Sequence, residues 1–303
     1  MSFEEGVQFS EEAVVMLKKD LVDIIRSESI VRKLYDQNQA VTAAKGDYKY
    51  YKILEQSNVQ YGFELQRRKY NVYGTKPVTV PIPMHQGDLH FTRHQVKKAA
   101  GDKLKIDGRI RNTIQNMIEK SEIKGIYGDP DTGTVLHDTT NISTAATAEL
   151  DLTTFVTSRN TFHGIVSQLR GLLKNKFTAC KLKVVWTSDV DDRSKVCASA
   201  LNDQITFRTI LEDFLIKFNR GGQESDHIFT TNYLGSGTNI GTTNMALLAK
   251  HPSNMELITS ELEVVQGNDP LGNLDIQLDF RAKPVFYRLN DCVIYSGTVD
   301  ITA

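Results

Sequence analysis

The sequence predicts an α+β protein, and three observations carry this prediction. Apolar residues recur at helical spacing near the N-terminus and again between residues 106 and 118. Alternating, aromatic-rich segments flank a turn near residues 71–74, and a long extended segment closes the chain at 276–295. Because 303 residues exceed the usual size of one hydrophobic core, we expect one large domain or two closely packed domains.

The first predicted element is an amphipathic helix in the N-terminal region. Ser10, Glu11 and Glu12 favour a helix start, because a hydroxyl caps the first N–H groups and carboxylates are stable near a helix N-terminus. One apolar stripe follows at Val14, Leu17, Leu21, Ile24 and Ile25. Packing of this stripe on the protein's own core is the simpler interpretation, and docking of a partner is the alternative.

The second predicted element is a long, polar, two-stranded hairpin between Tyr48 and Pro83. Residues with strand preference alternate on both sides of Asn71 and Gly74, as in a β-hairpin. Three basic residues stand near its tip, Arg67, Arg68 and Lys69. Because a hairpin this polar has little core of its own, we expect it to find a partner elsewhere.

The third predicted element is a long, rigid helix from about Asp107 to Ile126. Its apolar stripe consists of Ile106, Ile110, Ile114, Met117 and Ile118. Gly125, Gly128 and Pro130 provide the stop signal. The Thr- and Ala-rich stretch that follows, Thr139–Thr154, is interpreted as a passage between two domains.

Shorter elements form the next region of the chain. Apolar spacing predicts a helix from about Thr161 to Phe177, and Leu182–Trp186 is predicted as a short, buried strand. Residues Asp191 to Phe218 are predicted to be helical, with a break near Asn202 or Thr206. Two more short apolar segments complete this mixed region, His227–Thr231 and Ala246–Ala249.

Composition and charge argue against membrane proteins and strong nucleic-acid binders. Hydrophobic residues make up 40% of the chain and charged residues 24%, as in ordinary globular proteins. The 36 Lys and Arg and 37 Asp and Glu give a formal net charge of -1, so no global field draws the chain to an anionic surface. No run approaches the roughly 18 apolar residues of a membrane span. The start of the chain lacks the regions of a signal peptide, so we expect synthesis in the cytoplasm.

Motifs for cofactors and metals are weak. Gly235–Gly241 departs from a dinucleotide-binding loop, because its third glycine comes one residue late. Asp129–Gly133 has its glycine one position early for a calcium loop. His90 and His94 are spaced like zinc ligands on a helix, but the Glu of the metalloprotease motif is missing between them. We therefore expect no cofactor and no metal.

Candidates for catalysis are equally weak. The cysteines, Cys180, Cys197 and Cys292, are odd in number and have apolar neighbours, which favours separate, buried, reduced thiols. No Gly-x-Ser-x-Gly elbow is present. Asp191 and Asp192 follow a predicted strand, where acids can be catalytic, but an acidic cap on the next helix is the simpler explanation. No catalytic residue is predicted.

In their order along the chain, these elements resemble the Hong Kong 97-type shell fold. Major capsid proteins of tailed bacteriophages and archaeal tailed viruses have this fold, and encapsulin nanocompartments share it. The segments that carry the resemblance are Phe91–Val96 before the long helix, Glu122–Gly128 at its end and Phe280–Ile294 near the C-terminus. The resemblance implies an N-terminal arm at 1–47, an extended hairpin (E-loop) at 48–84, a peripheral domain with a long spine helix at 85–138, an apical domain at 139–259, and return strands of the peripheral domain at 260–303.

The resemblance also implies a structural role rather than an enzymatic one. Many copies would assemble as pentamers and hexamers into an icosahedral virus head, formed in the host cytoplasm, that encloses double-stranded DNA. The near-neutral charge implies weak, non-specific contact with this DNA. Scaffold, portal and decoration proteins are further possible partners, and because no scaffolding segment precedes the helix we expect a separate scaffold or none. The alternatives are an encapsulin-type shell and a cytosolic α+β enzyme with an unrecognised site.

An uneven distribution of charge suggests how subunits meet. Between His251 and Phe280 the chain has no Lys or Arg and six acidic residues, Glu256, Glu261, Glu263, Asp269, Asp275 and Asp279. We hypothesise that this acidic strip receives the basic hairpin tip of a neighbouring subunit, at residues 67–69. Two solvated faces are the alternative, since exposed ion pairs contribute about 0 to 1 kcal/mol each. Charge pairing nevertheless sets specificity more than affinity, so repeated weak pairs would bias which surfaces meet.

Overall fold

The structure is a computed structural model that describes residues 11–54, 74–92, 94–95, 108–126, 143–144, 150–173, 180–223, 226–231, 245–250, 255–268, 271, 273–286, 293–297 and 299–301. Its principal helices are α1 (Glu11–Glu28), α2 (Ile30–Leu34), α3 (Gly108–Ile126), α4 (Phe155–Leu173), α5 (Ser188–Val196) and α6 (Phe207–Asn219). Its strands are β1 (Gln37–Asn38), β2 (Asp47–Leu54), β3 (Gly74–Pro81), β4 (Met84–Phe91), β5 (Ser143–Thr144), β6 (Leu150–Asp151), β7 (Lys181–Trp186), β8 (Ala198–Ser199), β9 (Asn202–Thr206), β10 (Ile228–Thr230), β11 (Met245–Lys250), β12 (Met255–Thr259), β13 (Glu263–Asn268), β14 (Leu274–Phe286), β15 (Val293–Gly297) and β16 (Val299–Asp300). The α+β prediction is confirmed.

The first of two five-stranded sheets is built around the long strand β14. Strand β4 runs antiparallel along one edge of β14. Strands β12 and β13 follow each other along the other edge, also antiparallel, and β1 adds a parallel pair outside β12. Because side chains alternate across a strand, β14 gives every second residue to each face of this sheet.

One face of this sheet forms the first hydrophobic core with α1, α2 and α3. Strand β14 contributes Leu274, Ile276, Leu278, Phe280 and Ala282 to this core. Helix α1 contributes Leu17, Leu21 and Ile25, and helix α3 contributes Ile110, Ile114, Met117 and Ile118. The predicted amphipathic helix and the predicted long helix are therefore confirmed, and these residues of the two predicted apolar stripes, together with Ile24, pack on the protein's own core. Ile106 and Asp107, at the predicted start of the long helix, lie outside the described residues.

Helices α2 and α3 are joined by a buried carboxylate. Glu122 accepts hydrogen bonds from Ser29 Oγ at 2.7 Å and from Val31 N at 3.0 Å, so a side chain of α3 satisfies the free N–H groups at the start of α2. Burial raises the pKa of Glu122, while these hydrogen bonds act in the opposite direction. Gly125, predicted as part of a stop signal, instead lies inside α3, where an added Cβ would come within 2.5 Å of the Val31 side chain.

The second five-stranded sheet has the order β10-β7-β11-β15-β5 and packs against α4 and α6. Leu182, Val184 and Trp186 of β7 face this second core. The intervening Val185 belongs to the first core, as does Phe229 of β10. Two adjacent strands of this sheet, β7 and β10, therefore give one face to each core. We call the first sheet with α1, α2 and α3 the first half of the protein, and the second sheet with α4, α5 and α6 the second half. The shared strands fix these two halves to each other.

Several predicted boundaries in the second half were wrong. Helix α4 begins at Phe155 rather than near Thr161, because Thr154 Oγ1 accepts from Thr157 N at 3.3 Å and caps an earlier first turn. The stretch interpreted as a passage between domains ends in strand β6, and its Leu150 is fully buried. The helical break predicted near Asn202 or Thr206 is present but wider, because residues 198–206 form the β8–β9 hairpin.

The end of the chain also differs from its predicted assignment. Strand β15 pairs with β11 in the second sheet, and β16 pairs with β6, so that Val299 is buried in the second core. Both strands fall within residues 260–303, which the resemblance assigned to return strands of the peripheral domain. Their pairings instead associate them with the second half, and β12, β13 and β14 are the strands that complete the first sheet.

Candidate assembly surfaces

The predicted hairpin is present as a two-stranded antiparallel sheet. Strands β2 and β3 pair from Asp47 opposite Pro81 to Leu54 opposite Gly74, and they pair with no other described strand. The basic tip residues Arg67, Arg68 and Lys69 lie outside the described residues. At the base of the hairpin a small apolar cluster contains Val41, Ile82, Ile258 and Val285, against which Tyr48, Tyr50 and Val80 pack.

Arg281 of β14 anchors the base of the hairpin. Its Nε donates to Ala43 O at 2.8 Å, and its second guanidinium nitrogen donates to Ile82 O at 2.7 Å. Gly46 lies so close to this guanidinium that an added Cβ would come within 2.3 Å of it, and its carbonyl accepts from Ile82 N at 2.8 Å. One side chain therefore ties both ends of the hairpin to the sheet on which it rests.

The first sheet has an outer face, which points away from the first core. Arg281 and the hairpin base lie at one end of this outer face, and acidic residues lie at the other end. Asp279 lies opposite Glu263 of β13, Gln277 lies opposite Asp88 of β4, and Asp275 lies opposite His90. All of these side chains point away from the first core, because they alternate with its buried residues. We call the four carboxylates of this surface, Asp88, Glu263, Asp275 and Asp279, the acidic face.

Asp279 is the most constrained member of the acidic face. The residue is only 8% exposed, and its Oδ1 has no hydrogen-bond partner among the described residues. Its Oδ2 accepts from Gln277 Nε2 at 2.7 Å. Burial raises the pKa of Asp279, and the nearby carboxylates of Asp88 and Glu263 raise it further, whereas the Gln277 hydrogen bond and the positive charge of Arg281 lower it. This carboxylate would be stabilised by a cation placed above the sheet.

The other residues of the predicted acidic strip lie apart from the acidic face. Glu256 is half-buried on β12 and accepts from Asn38 Nδ2 at 2.8 Å. Glu261 forms an ion pair with Lys18 of α1 at 3.6 Å, with both side chains well exposed. Asp269 lies outside the described residues. Asp88 was not predicted as part of this surface; it is one of the outward-facing residues in the alternating exposure pattern of β4.

The acids considered for catalysis are part of a structural network. Helix α5 begins at Ser188 with Thr187 as its N-cap, three residues earlier than predicted. Asp191 lies in its first turn, as the acidic start predicted, together with Asp189. Asp191 Oδ1 accepts from Trp186 Nε1 at 2.9 Å, and Asp191 Oδ2 pairs with Lys195 Nζ at 2.6 Å. Arg208 also contacts Asp191 and stacks over Trp186 at 5.2 Å. The carboxylate therefore joins β7, α5 and α6 in the second half.

The other candidate site residues were the cysteines, His90 and His94, and two glycine-containing loops. Cys180 and Cys197 are buried, as predicted, and Cys292 lies outside the described residues. His90 is on a strand, where its Nδ1 lies 2.6 Å from Asp275 Oδ1, and His94 is exposed. The described residues contain no group of three His, Cys, Asp or Glu side chains placed to hold a metal. Residues 129–133 and 235–241 lie outside the described residues.

No helix in the described part of the chain combines the length and apolar character that a membrane crossing requires. No protein-family model matches the sequence, and no curated protein matches it as a relative.

Solved shell structures, in contrast, match almost the whole chain. The capsid of Myoviridae phage XM1 superposes with a TM-score of 0.62 at 11% identity, covering 88% of this chain and 91% of that chain. The capsid of a native GTA particle gives 0.58 at 11% identity, covering 98% and 94%. The holo-SrpI encapsulin complex from Synechococcus elongatus gives 0.55 at 10% identity, covering 100% and 94%. The chain therefore has the shell-protein fold that the resemblance implied.

Proposed function

We propose that this chain is a structural major capsid protein that assembles with itself into an icosahedral virus head around double-stranded DNA. The observation that carries this proposal, besides the fold, is the isolated β2–β3 sheet. An isolated two-stranded hairpin is marginally stable in water. This one pairs with no other described strand, and the packing described for it on the rest of the subunit lies at its base. A neighbouring subunit lying under the hairpin would supply the missing surface.

The acidic face is the proposed receptor for the basic hairpin tip of a neighbour. Its carboxylates repel one another, and the free oxygen of Asp279 would accept from a Lys or Arg side chain. Two predicted members, Glu256 and Glu261, have partners within the subunit, Asn38 and Lys18, which supports giving them a smaller part in the contact. The proposed contact therefore joins residues 67–69 to Asp88, Glu263, Asp275 and Asp279, with Asp269 as a further member.

The location and partners follow from this role. Pentamers and hexamers of the chain would form the virion capsid after synthesis in the host cytoplasm, together with scaffold, portal or decoration proteins. The subunit's net charge of -1 supports weak, non-specific contact with the packaged DNA. No catalytic step is assigned to the chain.

Size-exclusion chromatography with negative-stain electron microscopy tests the assembly. We expect capsomer rings or closed shells that form from the purified chain. A clean monomer of 34.1 kDa at every protein and salt concentration would contradict the proposal and favour the enzyme alternative.

An encapsulin-type nanocompartment is the second candidate, because the fold matches an encapsulin over the full chain. The contents of particles from the natural source distinguish the two candidates. Nuclease-protected DNA of genome length is the expected result for a virus head. Particles that hold a protein cargo and no DNA would assign the chain to the nanocompartment class instead.

A further inference from the structure

The β8–β9 hairpin presents an exposed leucine at its tip. Ser199 pairs with Asn202, which leaves Ala200 and Leu201 as a two-residue turn. Leu201 N donates to Ser199 Oγ at 3.3 Å, and Gln204 N donates to Asn202 Oδ1 at 3.0 Å, so side chains hold the turn in shape. Leu201 is 98% exposed, and turns favour Gly, Asn, Asp and Ser. Folding of the subunit therefore gives no reason for a leucine here.

A groove beside this tip is also apolar and exposed. It lies between the start of α4, the end of α5 and the β8–β9 hairpin, and it encloses a volume of about 570 Å³. Val156 and Val196 line it and are 59% and 70% exposed. Single exposed apolar residues are common on protein surfaces, but several that adjoin one groove mark an interaction surface.

The floor of the groove is rigid. Arg193 donates from Nε to Leu152 O at 3.1 Å and from a terminal nitrogen to Thr153 O at 3.2 Å. Ser158 Oγ lies 3.3 Å from Cys197 Sγ beneath it. These bonds hold α4 and α5 at a fixed separation, so a ligand would meet a preformed surface and little ordering would oppose its binding.

The charges near the tip and near the groove are complementary. Asp203 is exposed two residues beyond Leu201, and Arg159 is exposed on the groove wall. Neither side chain has a charged or hydrogen-bonding partner among the described residues. The tip therefore offers an apolar side chain followed by an acid, and the groove offers apolar side chains next to a base.

We propose that the β8–β9 tip of one subunit inserts into the groove of a neighbouring copy of this chain, with Leu201 against Val156 and Val196 and with Asp203 facing Arg159. The contact joins two different surfaces of one chain, and such heterologous contacts close into rings when the rotation between subunits permits it. This inference rests on the proposed shell function, and it names one of the contacts by which the second halves of neighbouring subunits meet.

Disulfide trapping between separate chains tests the contact. Leu201→Cys and Val156→Cys are made in different chains that both also carry Cys197→Ala, because Cys197 lines the groove. The two chains are mixed before assembly and oxidised, with chains that carry only Cys197→Ala oxidised in parallel. A covalent two-chain band on a non-reducing gel is expected from the mixture and absent from each variant alone. A band from Leu201→Cys alone, or no band from the mixture although particles form, would overturn the contact and leave the shell assignment intact. A wild-type chain that never oligomerises would overturn both.

Substitutions at Leu201, Asp203 and Arg159 provide a second test of the contact, with the assembled fraction as the measurement. Leu201→Asp should lower the assembled fraction by about tenfold at fixed protein concentration, whereas Leu201→Met should assemble normally, since only the former loses apolar contact. Asp203→Lys and Arg159→Glu should each impair assembly, and the double variant should restore it. Normal assembly of Leu201→Asp, or failure of the double variant to recover, would contradict the inference. Unchanged circular dichroism of each monomer shows that these exposed substitutions leave the fold intact.

Discussion

The two faces of the sheet around β14 differ sharply, although they share the same strands. One face is apolar and is covered by α1 and α3 within the subunit. The other face carries Arg281 under the hairpin at one end and the acidic face at the other. One set of alternating residues folds the subunit, and we propose that the other set forms the surfaces that meet neighbouring subunits.

The largest effect is expected from the apolar face. Phe280→Ala removes a side chain that is 1% exposed in the first core, and a truncation of this kind costs about 3 to 5 kcal/mol of unfolding free energy. Val265→Ala, on the outer face and 53% exposed, is the matched control and should change the unfolding free energy by less than about 0.5 kcal/mol. Chemical denaturation measures both. Similar losses in the two variants would remove the distinction between the faces.

A smaller effect is expected at the hairpin anchor. Arg281→Ala leaves the carbonyls of Ala43 and Ile82 without their donor, which costs about 1 to 3 kcal/mol. Hydrogen exchange should report faster exchange of the Ile82 amide, which bonds Gly46 O, while amides of the first core keep most of their protection. Uniform loss of protection throughout the subunit would show that Arg281 serves the core rather than the hairpin.

Replacing Asp279 by Asn should stabilise the folded subunit but weaken its assembly. Its folded-state pKa is raised, so the folded subunit binds more protons than the unfolded chain between the two pKa values. Stability therefore falls as pH rises through that window, and the full penalty remains at neutral pH. Asp279→Asn should raise the melting temperature of the monomer at pH 7, flatten its dependence on acidic pH and weaken assembly. A lower melting temperature at pH 7 would contradict this interpretation of the carboxylate.

Features set by local periodicity were predictable from the sequence. The stripes of α1 and α3 and the pairing of β2 with β3 depend on residues that are near one another in the chain, and all are present. The start of α4 was missed because Thr154 ends a Thr-rich stretch that is typical of a linker, and its capping role depends on the turn that follows.

Features set by contacts between distant segments were not predictable. Arg281 bonds Ala43 across 238 positions of sequence, and no local pattern marks that pairing. The acidic strip was identified by composition, but the register of β14 with β13 and β4 decides which acids share a face. That register places Asp279 beside Glu263 and brings in Asp88, and it leaves Glu256 and Glu261 to partners inside the subunit.

The most direct test of the two-face account is a paired charge reversal, followed by monomer melting and by electron microscopy. Arg67→Glu, Arg68→Glu and Lys69→Glu are combined in one chain, and Asp88→Lys, Glu263→Lys and Asp275→Lys are combined in another. We expect the hairpin-tip variant to keep the unfolding free energy of wild type within about 0.5 kcal/mol, because exposed charges contribute little to folding. The acidic-face variant should be at least as stable as wild type, because its changes remove the carboxylates that oppose ionisation of Asp279. Each triple variant should form few or misshapen particles. The chain that carries all six changes should recover shells in part. Normal shells from the hairpin-tip variant at physiological salt would contradict the docking of the hairpin on the acidic face.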